Sequence, residues 1–101
     1  MVQIAIRHGA RYSLYPELIK DKPYYLYYKE REGQLSSVGM LQQYNLGTLI
    51  RQDYVTNQKF LPGNYDVNSI YAFSSNVNRT LQSLQSFLIG LYPLRTGITL
   101  L

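Results

Sequence analysis

Cysteine is absent from the 101 residues, so no disulfide forms within the chain and its redox compartment leaves no mark on the sequence. Histidine occurs once, and Asp and Glu together occur six times. That supply is too thin for a cluster of metal ligands, and no metal or other cofactor is expected. Charged residues make up only 16% of the chain, fewer than a typical soluble domain carries. No apolar run approaches the length that crosses a bilayer, so no membrane span is expected. The apolar start, residues 2–6, is too short for a signal core and lacks a basic flank and a cleavage site. Two explanations stay open there: a cytosolic protein, or a targeting segment that lies upstream.

Lys and Arg number ten, which gives a net charge of +4 and a pI near 9.4. A basic balance raises the question of nucleic acid or another anionic partner. Yet there is no basic run, and three of the ten, Arg7, Arg11 and Arg79, sit in motifs of their own. Without them the excess falls to +1, which argues against a broad nucleic-acid surface. Hydrophobic residues supply 46%, a globular composition at the length of one small domain. Sparse surface charge on such a chain fits either a domain rich in uncharged polar residues (Gln, Asn, Ser and Tyr are plentiful) or, the favoured reading, a piece of something larger whose apolar faces belong against other segments.

Residues 2–6 (Val-Gln-Ile-Ala-Ile) alternate β-branched and smaller side chains and predict a short strand. Residues 12–33 have no clean period. They contain Pro16, Pro23 and a cluster at Tyr24, Tyr25, Tyr27 and Tyr28, and predict a long functional loop with a helical turn near residues 16–20. Ser36 is an N-cap candidate for a helix over residues 37–54, in which Gly39 and Gly47 permit close packing against a sheet. Residues 69–74 predict a second strand. Val77, Leu81, Leu84 and Leu88 fall on one face of a second helix, which should end within residues 90–93 and bury that face in the core. Residues 98–101 predict a third strand. Alternating strands and helices imply an α/β architecture with a largely parallel sheet. In such a sheet, ligands bind beyond the carboxyl ends of the strands. His8 and Arg79 follow two of those ends and should meet on one edge.

Arg7-His8-Gly9-Ala10-Arg11 sets two guanidiniums around the chain's one imidazole. Arginine is a planar fork of donors that fits phosphate oxygens. Positive charge on both sides of His8 disfavours the imidazolium and favours the nucleophilic neutral ring. Gly9 lets the backbone turn tightly and lets a substrate approach. The set suits attack on a phosphoryl group, with the arginines neutralising charge on its equatorial oxygens. Asp53 and Asp66 stand at a helix end and a turn and are expected to be solvated. The sequon Asn78-Arg79-Thr80 overlaps a site arginine and is read as accidental. The tyrosine cluster could stack on an aromatic leaving group, but packing or an interface is the commoner use.

The first motif resembles the Arg-His-Gly-x-Arg signature of the histidine acid phosphatases, the acid phosphatase/phytase branch of the histidine phosphatase superfamily. Gly33-Gln34-Leu35-Ser36-Ser37-Val38-Gly39-Met40 resembles the family's helix-opening Gly-x-Leu-Thr-x-x-Gly segment. Leu46-Gly47, Arg51 and Tyr54 also fit that helix. Ser74-Ser75-Asn76-Val77-Asn78-Arg79-Thr80 resembles the segment that carries a third site arginine, and the similarity runs on to Tyr92-Pro93. The resemblance implies a phosphomonoester hydrolase in which His8 becomes phosphohistidine while Arg7, Arg11 and Arg79 grip the phosphate. It implies a partial three-layer α/β/α, phosphoglycerate-mutase-like core. Residues 1–101 would be the N-terminal part of one domain, without the C-terminal part and most of the helical cap. A secreted or lysosomal location follows from the resemblance alone.

Two features depart from the family pattern. Tyr12-Ser13 replaces a Thr-Pro pair. The distal His-Asp pair, whose aspartate protonates the leaving group, has no counterpart because there is no second histidine. Impaired turnover of the chain alone is therefore expected. The competing readings are an inactive phosphate-binding or structural module and, on the same fold, a phosphoglycerate-mutase-type transferase.

Overall fold

The computed structural model describes residues 2–12 and 14–96. Its helices are α1 (Tyr25–Glu30), α2 (Ser37–Arg51) and α3 (Asn78–Leu91). A 3₁₀ turn spans Pro16–Ile19, and a π-helical turn, Gln52–Asn57, extends α2. Ser36 starts α2 as expected. Its backbone is extended, and its side chain accepts a hydrogen bond from the Gly39 N–H at 3.1 Å, which satisfies one of the donors a helix start leaves orphaned. Pro16 suits the first position of the 3₁₀ turn, where no N–H is required.

α2 and α3 pack on each other at two glycines. A Cβ at Gly47 would meet the Phe87 carbonyl, and one at Gly90 the Tyr44 carbonyl, both closer than 3.0 Å. Only hydrogen side chains let the two backbones approach this closely. Gly47 thus packs against a helix, not against the expected sheet. The core lies beside this crossing. It holds Phe87, Leu91 and Tyr92, with Leu46, Ile50 and Leu61 packed around them. Full burial of such a side chain contributes roughly 1.5–3 kcal/mol. The Tyr92 hydroxyl donates to the Pro62 carbonyl at 3.0 Å. Arg51 donates to the Leu91 and Gly63 carbonyls at 2.9 and 3.1 Å. These three bonds draw the 61–63 turn onto the end of α3.

Four expectations need correction. First, no strand forms among the described residues. Residues 2–6 and 69–74 have strand-like composition, but such composition measures fit to a pleated surface and makes no ladder without a partner backbone. The two segments both line one cleft and do not pair. The third expected strand, residues 98–101, lies outside the described residues. The parallel sheet is therefore not part of the described structure. Second, the leucine face of α3 is only partly buried: Leu84 and Leu88 are half-buried, Leu88 against the core, but it is not the most buried face. Val77 and Leu81 are exposed, whereas Ser83, Phe87, Gly90 and Leu91 are buried. The contact with α2 is set by Gly90, and that rotates the helix away from its leucine stripe. Third, the expected loop contains α1, built from the tyrosine cluster itself. Tyr12, Tyr24, Tyr27 and Tyr28 meet edge to face at 5.3–6.0 Å, and Arg31 stacks 3.7 Å over Tyr27. Fourth, Gly39 packs on the Arg7–Arg11 motif, not on a sheet.

Candidate active site

Without a strand ladder, the backbone polar groups of Arg7-His8-Gly9-Ala10-Arg11 need other partners. They find them on the helices. The Arg7 carbonyl accepts from Gln43 Nε2 at 3.0 Å. The Gly9 N–H donates to Ser83 Oγ at 3.1 Å, and the Ala10 N–H to Gln42 Oε1 at 2.9 Å. The Ala10 carbonyl accepts both the backbone N–H and the hydroxyl of Ser36, at 3.0 and 2.8 Å. Past the motif, the Tyr12 N–H donates to the Gln34 carbonyl at 2.9 Å. Together with the Ser36 N–H bond this makes one antiparallel bridge, Arg11 to Leu35. Gly9 and Gly39 face each other so closely that a Cβ on either would strike the other strand of backbone.

His8 is half-buried, with Nδ1 2.8 Å from the Gly9 carbonyl oxygen. A carbonyl can only accept, so Nδ1 carries the proton and, in the neutral ring, Nε2 keeps its lone pair. Arg7 and His8 line a cavity of about 580 Å³. Its walls include Val2, residues 4–8 and residues 69–75, and Leu84 and Leu88 of α3 contribute to its lining.

Arg79 lies in the first turn of α3. Its Nε is buried with no hydrogen-bond partner. Its Nη1 lies near Gly33, 3.6 Å from where a Cβ would stand. Gly33 has φ +69°, a backbone that glycine adopts without strain. Arg11 Nη1 makes only a long contact, 3.5 Å, to the Tyr12 carbonyl. Among the described residues no carboxylate stands within ion-pair distance of Arg7, Arg11 or Arg79, and the one ion pair is Arg31 with Glu30 at 3.9 Å.

Four sequence-predicted site residues are thus distributed as follows. Arg7 and His8 open onto the cleft. Arg11 turns toward its neighbour's carbonyl. Arg79 reaches toward Gly33. The two backbone segments that carry them are tied together by Ser83, while Asn78 Nδ2 ties the start of α3 to Gln34 Oε1 at 2.7 Å. Asp53 and Asp66 serve local turns, accepting from Gln58 Nε2 and from the Asn68 N–H. Among the described residues no group of three His, Cys, Asp or Glu could hold a metal ion. Sequence reasoning missed Ser36 as a loop holder, and also Gln42, Gln43 and Ser83. Gln43 is 6% exposed and Ser83 2%, but nothing in the sequence separates them from the other glutamines and serines of the same helices.

The family model of the histidine phosphatase superfamily (branch 2) matches residues 1–98. This chain belongs to that superfamily. Its curated relatives include a Caenorhabditis elegans protein named for acid phosphatase activity, 43% identical over 95 residues that cover 91% of this chain and 22% of the relative. Human prostatic acid phosphatase is 36% identical over 95 residues, covering 91% and 23%. The lysosomal acid phosphatase of Xenopus laevis is 36% identical over 94 residues, covering 91% and 20%. The chain therefore spans about a fifth of the length of these superfamily relatives. No helix among the described residues is long and apolar enough to cross a membrane.

Proposed function

We propose that this chain carries the nucleophile and phosphate-binding part of a phosphomonoester hydrolase. His8 Nε2 attacks phosphorus, the P–O bond to the leaving alcohol breaks, and a phosphohistidine forms. Water then cleaves the P–N bond, releasing inorganic phosphate and restoring the imidazole. Arg7, Arg11 and Arg79 hold the phosphoryl oxygens, and the substrate is a phosphate monoester. The observation that carries this reading is the bond from His8 Nδ1 to the Gly9 carbonyl, which leaves the Nε2 lone pair for attack. The three arginines support it, since none has a carboxylate partner among the described residues and one holds a buried unpaired Nε–H. An unpaired buried donor of this kind costs about 1–3 kcal/mol, a cost that a phosphate oxygen can offset.

His8 is the one histidine of the chain. A second histidine, with the aspartate that protonates the leaving group, must come from outside these residues. General acid catalysis contributes roughly 10²–10⁴-fold, so the chain alone should turn over slowly. Residues 1–101 fit as part of one three-layer α/β/α domain, whose sheet and cap need the rest of a longer chain. Incubation with an aryl phosphate and an alkaline quench tests the mechanism. A phosphoryl group should appear on the peptide containing His8 and be missing from His8→Ala. Equal turnover by both proteins, with no adduct, would remove His8 from the chemistry and leave a phosphate-binding module at most.

A further inference from the structure

The motif loop and the first turn of α3 carry the proposed nucleophile and one arm of its phosphate clamp, and a single buried hydroxyl joins them. Ser83 Oγ accepts the Gly9 N–H at 3.1 Å and donates to the Arg79 carbonyl at 2.7 Å. Ser83 is 2% exposed, so water has little chance to replace either bond. The direction of the two bonds is fixed. A carbonyl accepts only, so the Ser83 proton points to Arg79 and a lone pair faces Gly9. Gly9 is also the residue whose carbonyl holds His8 Nδ1. One side chain therefore sits between the backbone that orients the imidazole and the backbone that carries the Arg79 guanidinium.

A serine bonding to the carbonyl four residues back is common in helices and by itself means little. The same helix supplies the comparison. Ser86 donates to the Gln82 carbonyl at 2.9 Å, and among the described residues its hydroxyl bonds to no other segment. Ser83 differs in that its oxygen is also the acceptor for a buried N–H from 74 residues away. That second bond serves the site more than the helix.

We propose that Ser83 is a positioning residue that sets Arg79 and His8 at one spacing for a phosphate group. The inference rests on the phosphohistidine reading given above. It acts through Gly9 and the Arg79 backbone, and Ser83 itself need not touch the substrate.

The test is inorganic phosphate binding to the whole chain, followed by calorimetry, with thermal melts of each variant. Ser83→Ala should weaken phosphate binding roughly tenfold, the scale expected when a buried donor loses its partner. Ser86→Ala should leave binding unchanged. In an Arg79→Ala background, adding Ser83→Ala should cost no more than about twofold further, because coupled residues lose their effect together. Ser83→Cys keeps the volume but bonds weakly, and it should resemble Ser83→Ala if the alanine variant melts too early to measure. In the unaltered chain, saturating phosphate should slow hydrogen exchange at the Gly9 amide, by the reciprocity of coupled sites. Phosphate binding that falls in Arg79→Ala but stays at the parent value in folded Ser83→Ala and Ser83→Cys overturns this inference alone. An unaltered chain that binds no phosphate overturns the functional reading, and this one with it.

Discussion

Gly39→Ala places one methyl group where the structure has backbone. A Cβ at Gly39 would stand closer than 3.0 Å to the Ala10 carbonyl oxygen, 2.8 Å from the Ala10 nitrogen and 2.7 Å from Leu35 Cδ1. Leu35 is 4% exposed and has little room to swing away. Ala10 is pinned by Ser36 and Gln42. Relief therefore requires the motif loop and α2 to separate by on the order of 1 Å, since packed interiors hold no slack. Two stability terms oppose each other. Alanine is better than glycine inside a helix by about 1 kcal/mol. Overpacking costs about 1–3 kcal/mol. The net loss should be about 0–2 kcal/mol, and each kcal/mol lowers the melting temperature of a domain this size by about 4–8 °C. The site pays more heavily, since a misplacement of this size can reduce function by roughly 10²-fold. Gly39→Ala should thus stay folded while phosphate affinity falls by one to two orders of magnitude, roughly as far as such misplacement carries it. Gly63→Ala is the control, because nothing lies within 4 Å of its added Cβ. Circular dichroism melts and phosphate titration give both readouts. A folded Gly39→Ala chain with parental phosphate affinity would refute the close contact between α2 and the motif.

Ser36→Ala removes both the cap on Gly39 and the hydroxyl bond to Ala10, so urea unfolding should show a loss of about 1–2 kcal/mol. Ser36→Thr should recover most of it; no recovery would mean that the hydroxyl is not the cause. Burial holds the Tyr92 phenol above its ordinary value of 10.0. A group raised in the folded state contributes stability that is whole below the unfolded value and is lost as pH rises through the folded one. Stability should therefore be level on the acid side of pH 10.0 and fall on the alkaline side. The fall should be shallower in Tyr92→Phe, and identical alkaline slopes would sink the assignment.

Local patterns were legible wherever one residue decided the outcome. Ser36 marked the start of α2, and Pro16 the 3₁₀ turn. The apolar spacing of Val77, Leu81, Leu84 and Leu88 marked α3, which spans Asn78–Leu91. What sequence could not show was what each element packs on. The stripe through Leu81, Leu84 and Leu88 has the period of a core face, but Gly90 and Gly47 fix the helix crossing and turn Phe87 and Leu91 inward instead. Residues 2–6 and 69–74 carry strand composition, yet pairing is a property of two backbones and no single segment records its partner. The tyrosines of α1 were read as loop because Pro23 and aromatic crowding hide a helical period only six residues long. At the site, Arg7, His8, Arg11 and Arg79 were visible as residue types. Their holders were not, because a glutamine or serine inside a helix has no signature that separates a solvated side chain from one bonded to a distant loop.

Those holders bear on how the motif keeps its shape. In a sheet, the backbone of residues 7–11 would be fixed by neighbouring strands. Here the Arg7 carbonyl, the Gly9 N–H and both polar groups of Ala10 are met from α2, α3 and the α2 cap. The Gly9 N–H is the buried one of these groups, and its partner spares it a penalty of about 1–3 kcal/mol. The three helix contacts constrain the loop from two directions, across Gly39 and across Ser83. A loop held this way does not need a ladder to present His8 with its Nδ1 proton on Gly9. The Gly9 backbone that accepts the imidazole proton is thus held from the helices, while the enclosure of the site depends on the two segments that line the cleft.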